Sequence, residues 1–363
     1  MKILERFTVE IGLRSLSLMI EISRRIEPRT KDKGIMKTKK IVLAAIAAAG
    51  LIALNGCSEK SEPAADQQKA QTTVGIVQLV EHPALDEANR GIVEAVQARG
   101  LKVAFDQQNA QADQSNLGNI AQRFVSQKYP LIFAIATPAA QIMANATNQT
   151  PIVATAVTDF EVAKLVKSND KPGTNVTGSS DLNPVAQQVA LMLELFPDAK
   201  RIGTIYNSSE INSQFQAKIL KEEVQKRGLS LVELTVSSVN DVQQTAQSMI
   251  GKVDAIYVPT DNIIASAMPV LTKITTPARI GVITGEEGML KGGGLATVGV
   301  DYYNLGRIAG DMGADILEGK SKPQDMAIRY QTEFKSKINA ATAEKLGIKI
   351  PDSLAKNAEL VRY

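Results

Sequence analysis

The sequence predicts an α/β protein built from two doubly wound parallel-sheet lobes. Three observations carry this. Short, almost continuously apolar runs alternate with longer stretches of helical periodicity, the pattern of strands buried on both faces between covering helices. The alternation restarts after Asp181: VGIVQLV…ARGLKVAF at 74–105 is echoed by RIGTIYN…KRGLSLVEL at 201–234. The 363 residues suit about two domains.

Seven runs have strand length and end in polar loops: 74–80, 131–136, 152–157, 201–206, 255–258, 280–284 and 296–300. Segments 102–105 and 229–236 read as further strands. Between them, 85–99 places Leu85, Ala88, Ile92 and Val96 on one helical face and stops at Gly100. Segment 184–196 opens with Pro184 in its first turn and ends before Pro197. Segment 214–227 stops at Gly228, and 241–250 and 305–317 complete the helices.

Composition narrows the chemistry. With 44% hydrophobic and 22% charged residues the chain can bury cores. One Cys and one His exclude an intramolecular disulfide, zinc and Fe–S sites and Cys–His catalysis, so no metal or cofactor is expected. No Ser–His–Asp set is evident, and no catalytic residue is assigned. The net charge of +3 misleads: residues 1–57 hold 11 of the 41 basic and 5 of the 38 acidic residues, leaving 30 against 33 in the remainder. A weakly acidic body argues against a nucleic-acid partner.

That basic N-terminal part has its own organisation. From Met36, MKTKK is followed by 14 apolar residues and then Asn55-Gly56-Cys57. This fits a secretory signal and is too short for a transmembrane helix, which needs about 20 residues. Leu54-Asn55-Gly56-Cys57 resembles a bacterial lipobox, with Asn an uncommon choice two residues before Cys. The resemblance implies a lipidated Cys57 and a membrane anchor on the extracytoplasmic face, periplasmic in a Gram-negative envelope. Residues 1–57 are thus read as an upstream segment plus lipoprotein signal with its true start at Met36, and 58–72 as a flexible tether.

In open parallel sheets, ligands bind beyond the carboxyl ends of the strands. The residues there are Glu81-His82-Pro83, Thr137-Pro138, Thr158-Asp159-Phe160, Asn207 to Glu210, Pro259-Thr260-Asp261-Asn262, Gly285-Glu286-Glu287-Gly288 and Asp301-Tyr302-Tyr303. Hydroxyls and helix N-termini suit a carboxylate. Asp261, Glu286 or Asp301 suit an ammonium, and Tyr206, Tyr302, Tyr303 or Phe160 could stack on a flat side chain. A cleft so lined favours a zwitterion. Competing explanations stay open: Thr137, Thr158, Asn207 and Asp261 stand where helix N-caps are expected, and Glu81 and Glu286 could be surface residues. His82 reads equally as a lining residue or a ligand contact. Gly292-Gly293-Gly294 lacks the following Lys-Ser/Thr of a phosphate loop and reads as a turn.

Gly75-Ile76-Val77-Gln78-Leu79-Val80-Glu81-His82-Pro83-Ala84-Leu85-Asp86 resembles the start of the ABC-transporter substrate-binding lipoproteins of the tryptophan/tyrosine type. Thr155 to Asp159, Asn175 to Gly178, Tyr206-Asn207 with Glu210 and Asn212-Ser213, Pro259 to Asn262, and Gly293 to Thr297 leading into Asp301-Tyr302-Tyr303 extend the match over roughly 73–310. The resemblance implies a type I periplasmic-binding-protein fold, with two lobes joined by three crossings: 73–182 with 303–328, and 183–302 with 329–363. It implies a monomer that captures an aromatic or other hydrophobic amino acid and delivers it to a permease with an ATPase partner. The expected ligand contacts are Glu81, Thr137, Thr158, Asp159, Tyr206, Asn207, Glu210, Asp261, Glu286, Asp301 and Tyr302. A ligand-sensing domain for a membrane receptor, or a cleft hydrolase or isomerase, would use the same sheets.

Overall fold

The apolar runs pair into two sheets in the computed structural model, which describes residues 72–363. Met36, Cys57 and all of the expected tether but Thr72 lie outside the described residues. The first sheet runs β2 (Val103–Asn109), β1 (Thr72–Gln78), β3 (Ile132–Ile135), β4 (Ile152–Val157), β5 (Val176–Ser180) and β11 (Arg329–Tyr330), all parallel. The second runs β7 (Ser230–Val236), β6 (Arg201–Asn207), β8 (Ala255–Val258), β9 (Gly281–Thr284), β10 (Ala296–Gly299), β12 (Lys335–Asn339) and β13 (Glu359–Val361). Only the β10–β12 pair is antiparallel. All nine sequence-predicted strands are present, and both sheets reverse strand order at one place, between β1 and β3 and between β6 and β8.

The helices fill the faces. In the first lobe these are α1 (Pro83–Ala98), α2 (Gln114–Ser126), α3 (Thr137–Ala146) and, from late in the chain, α10 (Tyr302–Leu317). In the second they are α4 (Val185–Leu195), α5 (Ile211–Lys226), α6 (Val239–Met249), α7 (Asn262–Ser266), α8 (Met268–Thr275), α9 (Gly288–Lys291), α11 (Ala340–Leu346) and α12 (Asp352–Asn357). Helix α1 starts on Pro83, whose missing N–H is no loss in a first turn, and ends ahead of Gly100 at φ 72°. One core unites Val74, Ile76, Leu85, Ile92, Phe124 and Phe133 with Leu305 and Met312 of α10. In the second lobe, Val189, Met192, Leu220 and Tyr257 pack on one side, and Val242, Met249, Ile264 and Leu271 on the other.

The chain passes between the sheets three times: at 181–184, at 300–301 and at 331–334. The third passage starts after Tyr330, two residues past the boundary expected from sequence, because Arg329 and Tyr330 extend the first sheet beside β5. The second and third passages are tied together. Gln331 accepts from the Asp301 N–H at 3.1 Å and donates to the Asp301 carbonyl at 2.6 Å.

Candidate functional site

The two places where strand order reverses face each other across the lobes, and a crevice outside the carboxyl ends is the natural ligand site of such sheets. The first lobe contributes His82 after β1, Thr137 after β3 and Thr158 after β4. The second contributes Asn207 and Glu210 after β6, Thr260, Asp261 and Asn262 after β8, and Glu286 after β9. Every one of these side chains is buried. Direct contacts join the lobes here: His82 Nε2 lies 3.4 Å from Asn262 Oδ1, and Thr158 Oγ1 lies 3.4 Å from Thr260 Oγ1. Gln216 of α5 donates to both hydroxyls, at 3.2 Å to Thr158 and more closely to Thr260.

The expected contacts divide on this geometry. Thr137, Thr158, Asn207, Glu210, Asp261, Glu286 and Tyr302 are brought to the junction of the lobes. Glu81 is exposed although its neighbour His82 is buried. Asp159 is half-buried and accepts from the Val162 N–H at 2.8 Å. Tyr206 turns along its own sheet, where its hydroxyl donates to Glu233 at 2.5 Å. Asp301 is half-buried and caps α10 through the Asn304 N–H at 3.1 Å. Asp261 is deeply placed, but its oxygens are taken by the Ile264 N–H at 2.8 Å, the Asn207 N–H at 2.6 Å and the Ser213 hydroxyl at 2.7 Å. It caps α7 and ties β6 to β8. Of the proposed stacking groups, Tyr303 points to Glu94 of α1 and Phe160 belongs to the first core.

Residues that the sequence reading passed over complete the site. Asp181 and Asn183, on the first passage between lobes, are buried. Tyr302 donates to Asp181 Oδ2 at 2.6 Å, and Asn183 donates to the Asp181 carbonyl at 2.9 Å. They follow β5, whose sequence VTGSS lacks the apolar run that marks a strand, so nothing in the sequence flags its carboxyl end. Gln216 lies in the second turn of α5, beyond the loop that precedes that helix, whereas Asn212 and Asn262 stand in the first turns of α5 and α7.

The electrostatics of the junction are one-sided. Asp181, Glu210, Asp261 and Glu286 are all buried, and no lysine or arginine is buried among the described residues. Burial pushes Glu286 up to about 8, and burial reinforced by Asp261 pushes Glu210 up to about 8. Burial also raises Asp181 and Asp261. Burial lowers His82 to about 4, so its ring is neutral at physiological pH. Glu210 is ringed by N–H donors from Asn207, Asn212, Asn262 and Ile263. Other polar atoms are buried with no protein partner: Asp181 Oδ1, Asn183 Oδ1, Glu286 Oε1, Thr137 Oγ1, His82 Nδ1 and Asn212 Oδ1. Asn169 Oδ1, Thr204 Oγ1 and Thr275 Oγ1 are likewise without a partner, and leaving such groups unpaired costs about 1–3 kcal/mol each. Glu286 and Tyr302 also border an open groove of about 350 Å³ whose lining includes Arg90, Lys291 and Lys337 but none of the other unpartnered groups.

Residues 73–362 match the family model described as ABC transporter substrate binding protein. The chain is 41% identical over 340 residues to a tyrosine-binding protein of Clostridioides difficile, covering 91% of this chain and 97% of that one. Two solved structures are similar. One is an ABC domain in complex with L-Trp from Streptococcus pneumoniae, with 38% identity, TM-score 0.78, and coverage of 80% of this chain and all of that one. The other is the ligand-free, open structure of a substrate-binding protein with adhesive properties from Clostridium difficile, with 42% identity, TM-score 0.62, and coverage of 80% and 99%. The chain belongs to the ABC transporter substrate-binding protein family, with the fold of the type I periplasmic binding proteins. Membership places its work outside the cytoplasm. No helix among the described residues is long and apolar enough to cross a membrane. At comparable identity the lobes agree better with the ligand-bound neighbour than with the open one, matching the direct contacts across the junction.

Proposed function

We propose that this protein is the capture subunit of an uptake transporter, binding an aromatic amino acid between its lobes and handing it to a permease powered by an ATPase. One observation carries the reading. Asp181 Oδ1, Asn183 Oδ1 and Glu286 Oε1 are three buried acceptors without a partner, two of them on acids, with no basic side chain buried nearby. An ammonium brings one positive charge and three donors to that set. The carboxylate of the same zwitterion suits the free hydroxyl of Thr137 and the N-terminal amides of α3. Thr158, Asn207, Glu210 and Asp261 stand behind as the frame, Tyr302 orients Asp181, and Glu81, Asp159, Tyr206 and Asp301 are peripheral to the ligand. The tyrosine-binding relative and the L-Trp complex support an aromatic side chain.

The lipid anchor at Cys57, a start at Met36, the monomeric state and lobe boundaries within the passages at 181–184, 300–301 and 331–334 belong to the same proposal. The protein is read as a passive binder and not an enzyme. A sensor feeding a membrane receptor would present the same cleft, and a neighbouring permease and ATPase gene separates the two. The direct test adds Trp, Tyr and Phe to the purified protein. The chain has no Trp, so a shift in L-Trp emission on binding is read with no indole of the protein contributing. Ligand at 100 times its Kd should stabilise the fold by about 2.7 kcal/mol. If no aromatic amino acid stabilises the protein, or if the ligand is recovered chemically altered, the proposal is wrong.

A further inference from the structure

The cleft holds a second set of free acceptors, and these carry no charge. His82 Nδ1 and Asn212 Oδ1 are buried without partners, and both residues belong to the network around Glu210. The tautomer of His82 follows from that network. Glu210 is surrounded by N–H groups, so Asn262 turns its Nδ2 toward it and leaves its Oδ1 for His82. Asn262 Oδ1 can only accept, so His82 Nε2 carries the proton and Nδ1 keeps a bare lone pair. The usual alternative use for this side chain is ruled out. His82 occupies the N-cap of α1 yet makes no side-chain capping bond.

We propose that His82 Nδ1 determines specificity by accepting a hydrogen bond from the ligand's ring, so that the site selects aromatic amino acids bearing a ring donor, an indole N–H or a phenol O–H. This rests on the reading of the site as an aromatic amino-acid cleft. The sorting is electrostatic. The ammonium takes the acids with free oxygens, Asp181 and Glu286. Glu210 and Asp261 have their oxygens engaged by the chain. That leaves a neutral acceptor for a neutral donor. A site built to bond such a donor rejects the analogue lacking it, because the buried acceptor is then stranded.

The test compares ligands in matched pairs: Trp with 3-benzothienylalanine, in which sulfur replaces the indole N–H, and Tyr with Phe. Affinities are measured on the unaltered protein, on His82→Leu, which removes the acceptor, and on His82→Gln, which restores one. For whichever pair binds, the unaltered protein should prefer the donor-bearing member by roughly tenfold or more. The preference should collapse toward unity in His82→Leu and return in part in His82→Gln. Each preference is a ratio within one protein, so a general loss of stability cancels. Should His82→Leu not fold, the pairs measured on the unaltered protein and on His82→Gln still decide. A preference that survives His82→Leu, or no preference in the unaltered protein, overturns the role of His82 while leaving the cleft reading intact. Failure of all four ligands to bind the unaltered protein defeats the cleft reading itself, and this inference with it.

Discussion

Glu286 is pulled two ways. One carboxylate oxygen accepts from the Gly288 N–H at the start of α9, and the other is buried with no partner. Burial lifts it to about 8 from the 4.5 ordinary for glutamate, so without ligand the folded protein holds a proton that the unfolded chain has shed. The stabilisation linked to that proton is complete below 4.5 and disappears as pH rises through about 8. An ammonium reverses the preference, because a neighbouring positive charge favours the carboxylate. Burial raises Asp181 in the same direction, opposed by the hydrogen bond from Tyr302. Amino-acid binding near pH 7 is therefore expected to release protons, and affinity should rise with pH between 6 and 8. Calorimetry in buffers of different ionisation enthalpy reads the release directly. Glu286→Gln should diminish it and weaken binding by about 10- to 100-fold, the worth of a hydrogen bond to a charged group. Proton uptake on binding, or an unchanged affinity in the variant, would mean the ammonium sits elsewhere.

At the scale of elements, α1 and α10 meet backbone to backbone. A Cβ on Gly306 would lie 2.0 Å from the Ala88 carbonyl oxygen, and one on Gly91 would lie 2.2 Å from that of Tyr303. Neither neighbour is a flexible side chain, so the helices would have to separate. Gly306→Ala should cost about 1–3 kcal/mol, seen as a lower midpoint in chemical denaturation. An unaltered midpoint would show that the pair yields easily. Helix α10 also explains which parts of the fold were readable. Strands such as β3 and β4 declare themselves because both faces are apolar. Strand β5 does not, because its hydroxyls are satisfied internally: Thr177 bonds the Met326 carbonyl, Ser179 that of Leu305 on α10, and Ser180 that of Thr158. A Cβ at Gly178 would fall 1.8 Å from the Ala154 carbonyl oxygen, so this strand is selected for close approach and not for hydrophobicity. With β5 unread, Asp181 and Asn183 went unread too. The other strand ends were legible, but the direction of each side chain was not. Glu81 and His82 are adjacent in sequence and face solvent and cleft respectively, and the carboxylates of Asp261 and Asp301 are spent on capping.

For the whole molecule, function depends on how readily the lobes meet. Gln216 is fully buried and is the side chain that spans the junction most directly. Its Nε2 donates to Thr158 in one lobe and to Thr260 in the other, and its Oε1 accepts from the Thr260 N–H at 3.3 Å. The bond to Thr158 exists only when the lobes are together, so it biases the closed arrangement without touching the ammonium acceptors. A neutral bond of this kind is worth about 1 kcal/mol, roughly a fivefold change in the closed population. If closure precedes tight binding, affinity falls by the factor by which the closed fraction falls. Gln216→Ala should therefore raise the radius of gyration of the protein without ligand in solution scattering and weaken amino-acid binding by about fivefold. Saturating ligand should return both proteins to the same compact dimensions, since binding energy replaces the missing tie. If scattering and affinity both match those of the unaltered protein, the bridge is a consequence of closure and contributes nothing to it, and the bias must come instead from the His82–Asn262 contact.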